Sequence, residues 1–451
     1  MVCGAALAPY MTPSLPVLVQ GSSEFEAAIQ RLRTRGADDL EAVAPAVREI
    51  LARVRREGDA GVLACIEAFE KRSPTSLVLH EYDGEGALAR LDPAIRAALE
   101  LAADRVRRYH ERQRSVGFEY EEEGVTLGMR VRPLARVGVY APGGKARYPS
   151  SVLMTAIPAR VAGVQDIVLA TPNPNDSLLA AAHLAGVTSI LDAGGAHAIA
   201  ALAYGTASLP RVDKIVGPGN AYVACAKRLV FGDVDIDSIA GPSEILAVAD
   251  ETADPRLVAA DLLSQAEHDE AAYAILLTTS AALAEAVNAQ IAIQLAALSR
   301  PQIITAALTA NGMALVVADR AELLALASTI GAEHVAVHMA DPMAAADAIT
   351  VAGALLVGAS TPVAAGDYLA GPSHVLPTGG GARFGSPLGV YDFVARTSLI
   401  RYSPAAIAQH GPSIVALARA EGLDVHAQAV EIRLAAAAAV NETAPRTESK
   451  A

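Results

Sequence analysis

Glu333 and His334 are adjacent. The pair combines a carboxylate, which can activate water, with an imidazole, which titrates near neutral pH and suits a general base. It follows a helical pattern ending near Ile330-Gly331 and precedes an apolar strand. Neighbours in a regular strand point to opposite faces, so only a turn could aim both at one substrate. The pair also opens its strand, whereas ligands of parallel sheets gather at the strands' carboxyl ends, so position alone ranks it low. Gln265 and His268 close a helical stretch that begins at Asp254. Residues three apart share a helix face and can converge on one ion, for which imidazole suits zinc and an amide oxygen is a weaker ligand. A polar helix end beside solvent explains the same pair. Asp367 lies in Ala365-Gly366-Asp367-Tyr368, and His374 follows it within the segment Gly371 to Thr378. A carboxylate and an imidazole on a rigid turn could serve a site; the plain alternative is an Asx turn with a surface histidine. Glu421 and His426 stand in a late helical region, where each alone reads as a surface residue.

Three glycine turns follow successive strand patterns: Tyr140 to Lys145, Ala193 to Ala196, and Gly217-Pro218-Gly219-Asn220. Each lets the backbone approach a ligand at a helix start. None is a dinucleotide fingerprint or a P-loop, and singly each reads as a tight strand–helix turn. Together they would line one sheet edge, which makes a nucleotide site plausible.

The elements that must carry these residues come from the pattern of the whole chain. Its 451 residues exceed one ordinary core and suggest two main domains. Helical periodicity covers 40–57, 60–71 and about 92–116, and Ser23 fits an N-cap. The basic run Arg105 to Arg114 reads as a solvated helix face. From Val137 onward, β-rich runs alternate with Ala-rich helices. The strands read as 137–140, 167–170, 189–192, 214–216, 245–249, 274–278, 314–318, 334–337 and 354–357. That alternation signals a mainly parallel sheet flanked by helices, in at least two copies. The Gly- and Pro-dense stretch 366–389 reads as a long functional loop, followed by two or three helices and a frayed end from Leu434. A net charge of −13 argues against nucleic acid or an anionic membrane as partner. Cys3, Cys65 and Cys225 are scattered and odd in number, which fits a reducing compartment and not a disulfide framework. The first 20 residues lack a basic start and are broken by three prolines, so they read as an untargeted arm. With no uninterrupted apolar run of spanning length, the chain reads as cytoplasmic.

The segments taken in order resemble histidinol dehydrogenases over roughly residues 20 to 433. They are Tyr140-Ala-Pro-Gly-Gly144, Val216-Gly-Pro-Gly-Asn220, Ala240-Gly-Pro-Ser-Glu244, Ser264-Gln-Ala-Glu-His268, Glu333-His334, Gly366-Asp-Tyr368, Ser373-His-Val-Leu-Pro-Thr378 and a late His426. The resemblance implies an α/β fold of two incomplete Rossmann-like domains with parallel-rich sheets and small helical terminal extensions. It implies a flexible arm (1–21), a discontinuous larger domain (22–136 and 243–388), and an inserted NAD-binding domain (137–242). A C-terminal helical extension (389–433) would serve a partner's site, ahead of a disordered tail (434–451).

By the same resemblance, Gln265, His268, Asp367 and His426 would hold one zinc ion, and Glu333 and His334 would be the catalytic pair. Ser243, His374 and Glu421 would contact substrate, together with His334 and the zinc ligands. Tyr140 and Asn220 would contact NAD. His197 stands where the family usually has Gln near that cofactor, and Ser373 where Asn is commoner. Family members are homodimers whose late histidine and glutamate reach into the partner's site. The implied reaction oxidises L-histidinol to L-histidine with two NAD⁺ and water, within histidine biosynthesis. Rival readings are a related dehydrogenase of another small alcohol, such as a sulfonated propanediol, and a zinc hydrolase or silent ligand-binding protein. Retention of Glu421 and His426 favours histidinol.

Overall fold

In the computed structural model the described residues are 13–35, 38–143, 147–298 and 301–443. The start of the N-terminal arm, the end of the tail, and Gly144 and Lys145 of the first glycine turn lie outside them. The chain divides into two compact units. One contains residues up to Arg114 and Leu134–Phe393; the other contains Ser115–Pro133 and the chain from Val394.

The larger unit holds two six-stranded sheets, with strands numbered in chain order. The first runs β1 (Val17–Val19), β12 (Met313–Val316), β11 (Tyr273–Thr278), β10 (Glu244–Ala249), β13 (His334–His338) and β14 (Ala354–Val357), all parallel. The second runs β2 (Val78–Leu79), β7 (Ser189–Leu191), β6 (Asp166–Ala170), β5 (Arg136–Tyr140), β8 (Lys214–Val216) and β9 (Asp235–Ile236). Only β2 is antiparallel there. The continuous apolar runs of these strands are what a sheet covered on both faces requires. Alternation then sorts their side chains between two cores. Ile245, Ala247 and Ala249 enter one core, while Leu246 and Val248 enter the other. Ile167 and Leu169 are likewise separated from Val168 and Ala170.

The sequence-read strands from Val137 onward are all present, with ends shifted by at most a residue or two. The first helix is capped by Ser22, whose hydroxyl accepts from Phe25 N, and not by Ser23. The helix expected to end near Val116 stops at Glu111, and Arg105 to Arg114 keep their guanidinium groups at the surface. Cys65 and Cys225 are free and buried. Among the described residues no helix is long and apolar enough to cross a membrane.

The smaller unit contains an antiparallel sheet with no counterpart in the sequence reading: β15 (Val394–Tyr402), β4 (Val125–Pro133) and β3 (Phe118–Glu122). Two helices follow, Pro404–Ala420 and Asp424–Thr443. They pack closely at Gly411, where an added Cβ would lie 2.7 Å from Leu434.

Candidate active site

The helix Arg320–Ile330 ends at Gly331, whose φ of 54° turns the chain. This places Glu333 immediately before β13 and His334 at its first residue. The bend lets neighbours meet: Glu333 Oε2 lies 3.6 Å from His334 Nδ1. Both side chains are buried. The adjacent parallel strand β10 fixes them. Glu244 N donates to Glu333 Oε2 at 2.8 Å, and Glu333 N donates to Glu244 Oε2 at 3.3 Å. His334 Nδ1 lies 3.2 Å from the Glu244 carbonyl, which can only accept. Nδ1 therefore carries the proton in the neutral ring, and Nε2 faces the other way, 3.7 Å from Asp367 Oδ1. Burial disfavours the imidazolium, but Glu333 and Asp367 together overcome it and push the group up to about 10. That value belongs to a site in which Asp367 carries no other cation.

Asp367 sits near the end of the short helix Val363–Tyr368. Burial would raise its carboxyl, yet His334, and then the fields of His374 and His268, hold it below the usual range. His374 Nδ1 donates to the Asp367 carbonyl at 3.0 Å. Its Nε2 lies 3.4 Å from Ser151 Oγ, and burial holds the ring below its ordinary value. Gln265 is buried on the last turn of the helix Pro255–Ala266, which packs on the Asp367 helix. Its Oε1 finds no hydrogen-bond partner. An orphaned buried oxygen calls for an explanation, and an absent ion is one. His268 follows on the next turn, exposed, with its N–H on the Gln265 carbonyl. Gln265, His268 and Asp367 thus share one neighbourhood with only nitrogen and oxygen donors. Among the described residues no three His, Cys, Asp or Glu side chains form a metal cluster by themselves. Glu421 and His426, both exposed, belong to the smaller unit. Ser243 immediately precedes β10, and its carbonyl accepts from Tyr273 N.

The glycine turns line the carboxyl edge of the second sheet. Gly217, with φ of 117°, follows β8; an added Cβ would lie 2.2 Å from the Tyr140 carbonyl. Asp237 accepts from Gly217 N at 2.7 Å, and buried Lys227, paired with Asp237, donates to Gly217 O at 2.9 Å. Asn220 caps the helix Ala221–Val230 through Val223 N. The Tyr140 hydroxyl accepts from Gly195 N at 3.0 Å, and burial pushes it up to about 12. His197 Nε2 lies 2.8 Å from Glu70 Oε1, which also accepts from Gly194 N. Of the three side chains expected at the cofactor, Tyr140 and His197 are thus engaged in holding the turn after β7, and Asn220 in capping its helix. Ser151, on the helix that follows β5, links this edge to His374, and Ser373 Oγ donates to Met154 O on the same helix.

Glu244, Arg35, Glu70 and Ser151 were not singled out from sequence. Glu244 alone had a local signal, as the last residue of a quoted motif. The others meet their partners only through the fold.

Comparison with known proteins agrees with this fold. The profile of the family described as histidinol dehydrogenase matches residues 33–434. The chain is 50% identical over 419 residues to the histidinol dehydrogenase of Syntrophotalea carbinolica, covering 91% of this chain and 97% of that protein. It is 48% identical over 407 residues to that of Aquifex aeolicus, covering 90% and 96%. The crystal structure of histidinol dehydrogenase from Elizabethkingia anophelis superposes with a TM-score of 0.87 at 33% identity, covering 94% of this chain and 99% of that one. With fold and sequence in agreement over nine-tenths of its length, the chain belongs to the histidinol dehydrogenase family.

Proposed function

We propose that the protein is a cytoplasmic, homodimeric enzyme that oxidises L-histidinol through L-histidinal to L-histidine, consuming two NAD⁺ and one water and releasing two NADH. The observation that carries this reading is the setting of His334, with Nδ1 held by the Glu244 carbonyl and Nε2 directed toward Asp367 beside the Glu333 carboxylate. In the first step Nε2 takes the hydroxyl proton as hydride leaves the alcohol carbon, and the aldehyde remains bound. In the second, Glu333 deprotonates a water that adds to the aldehyde, and His334 takes a proton from the resulting diol as the second hydride leaves. NAD supplies the hydride acceptor in both steps, and the glycine turns at the carboxyl edge of the second sheet suit its backbone approach. Zinc, held by Gln265, His268, Asp367 and His426 from a second copy, would orient the substrate's amino and imidazole nitrogens. The orphaned Gln265 oxygen and the thiolate-free donor set fit that ion. Ser243, His374 and Glu421 complete the substrate contacts. The test is stoichiometry: two NADH per histidinol consumed support this reading, and one NADH, or turnover without NAD, refutes it.

A further inference from the structure

Glu244 is buried, and its carboxylate is saturated. Oε1 accepts from Arg35 Nε at 2.6 Å and from Gly379 N at 2.8 Å. Oε2 accepts from Arg35 Nη2 at 2.9 Å and from Glu333 N at 3.3 Å. The same residue's N–H holds the Glu333 carboxylate, and its carbonyl selects the His334 tautomer. Arg35 is equally committed. Its guanidinium also donates to Ile330 O at 2.9 Å and to Leu32 O, tying together the ends of two helices. Side-chain exposure is 3% for Arg35 and 1% for Glu244, so neither is available to substrate.

We propose that Arg35 and Glu244 are a buried positioning pair that sets the geometry of Glu333 and His334, and thereby turnover, without touching substrate. This rests on the reading of Glu333 and His334 as the catalytic pair. A carboxylate is needed because it accepts four donors at once; an amide at this position has a single accepting atom and cannot hold Gly379 N and Glu333 N together. The fork of Arg35 fixes the carboxylate plane, which the point charge of a lysine does not.

The experiment compares the full-length, zinc-loaded enzyme with Arg35→Lys, Arg35→Met, Glu244→Gln and the double variant Arg35→Met/Glu244→Gln. It reads kcat for histidinol and histidinal, histidinol Kd, zinc content and Tm. A misplaced catalytic group costs on the order of 10²-fold, so kcat should fall about 10- to 100-fold in the Met and Gln variants, with Kd and zinc content unchanged. Arg35→Lys should retain intermediate activity. Removing one member of a buried pair strands a charge, whereas removing both does not, so the double variant should regain Tm. Its kcat should stay low. Recovery of kcat along with Tm would show a purely structural bolt and overturn the proposal, as would a kcat loss that tracks lost zinc. Glu333→Gln and His334→Ala run alongside. Full turnover in both overturns the catalytic reading itself, whereas impaired turnover there with full turnover in Glu244→Gln overturns only the positioning role.

Discussion

If Glu333 and His334 are the catalytic pair, they divide the proton work between them. Alcohol oxidation needs a base but no water, whereas aldehyde oxidation needs an activated water as well. Glu333→Gln should therefore slow histidinal oxidation about 10²–10⁴-fold while sparing the first hydride transfer from histidinol, and His334→Ala should slow both. Supplying the two substrates separately to each variant checks this; equal slowing by Glu333→Gln assigns the water to another group. A second expectation concerns His110, which is fully buried with Nδ1 on the Val106 carbonyl. Burial holds its folded value below the ordinary 6.5, so as pH falls the unfolded chain takes up the proton first. The neutral ring's contribution is complete above that value and is lost as pH falls through it. His110→Gln should thus lose less Tm than the parent between about pH 8 and pH 5.5, the span of imidazole titration. Residue chemistry was legible in the sequence for Glu333 and His334, but their convergence was not. It depends on the bend after Gly331 and on a strand that begins 89 residues earlier. Arg35 meets Glu244 across 209 residues, and no local pattern carries that information.

The elements that bear Gln265, His268 and Asp367 are a helix end and a short loop helix. If Gln265, His268 and Asp367 hold zinc, His268→Asn should sharply reduce the metal bound per chain, measured on purified protein by elemental analysis. Unchanged metal content would remove His268 from the ligand set. Element reading from sequence succeeded where burial leaves a run of apolar residues, as in Ile245–Ala249 or Tyr273–Thr278, every one of which is buried. It failed for the antiparallel sheet. Phe118–Glu122 is exposed along its whole length and carries three glutamates, and most of Val394–Tyr402 faces outward, so neither shows a buried stripe. Their pairing follows from the hairpin at Glu123-Gly124, where both residues have positive φ, and from the long return from Phe393.

At the scale of the whole molecule, the late residues Glu421 and His426 belong to a different unit from the catalytic pair. If they act in trans, mixing inactive His426→Asn chains with inactive His334→Ala chains should restore activity, because one site of each mixed dimer then has all its parts. Absence of recovery under demonstrated subunit exchange rules out sharing. The placement of the two halves of the site has an electrical consequence. The glycine turns gather at the carboxyl edge of their sheet, where the helices beginning at Pro149, Gly195 and Ala221 present their amino ends. Glu333 and His334 lie at the amino edge of the other sheet, where the helices ending at Ala266 and Ile330 present their carbonyl ends. Aligned peptide dipoles give each such end about half an elementary charge, positive at the first edge and negative at the second. The fold thus sets a cation-attracting wall beside Glu333 and His334 and an anion-attracting wall beside the glycine turns.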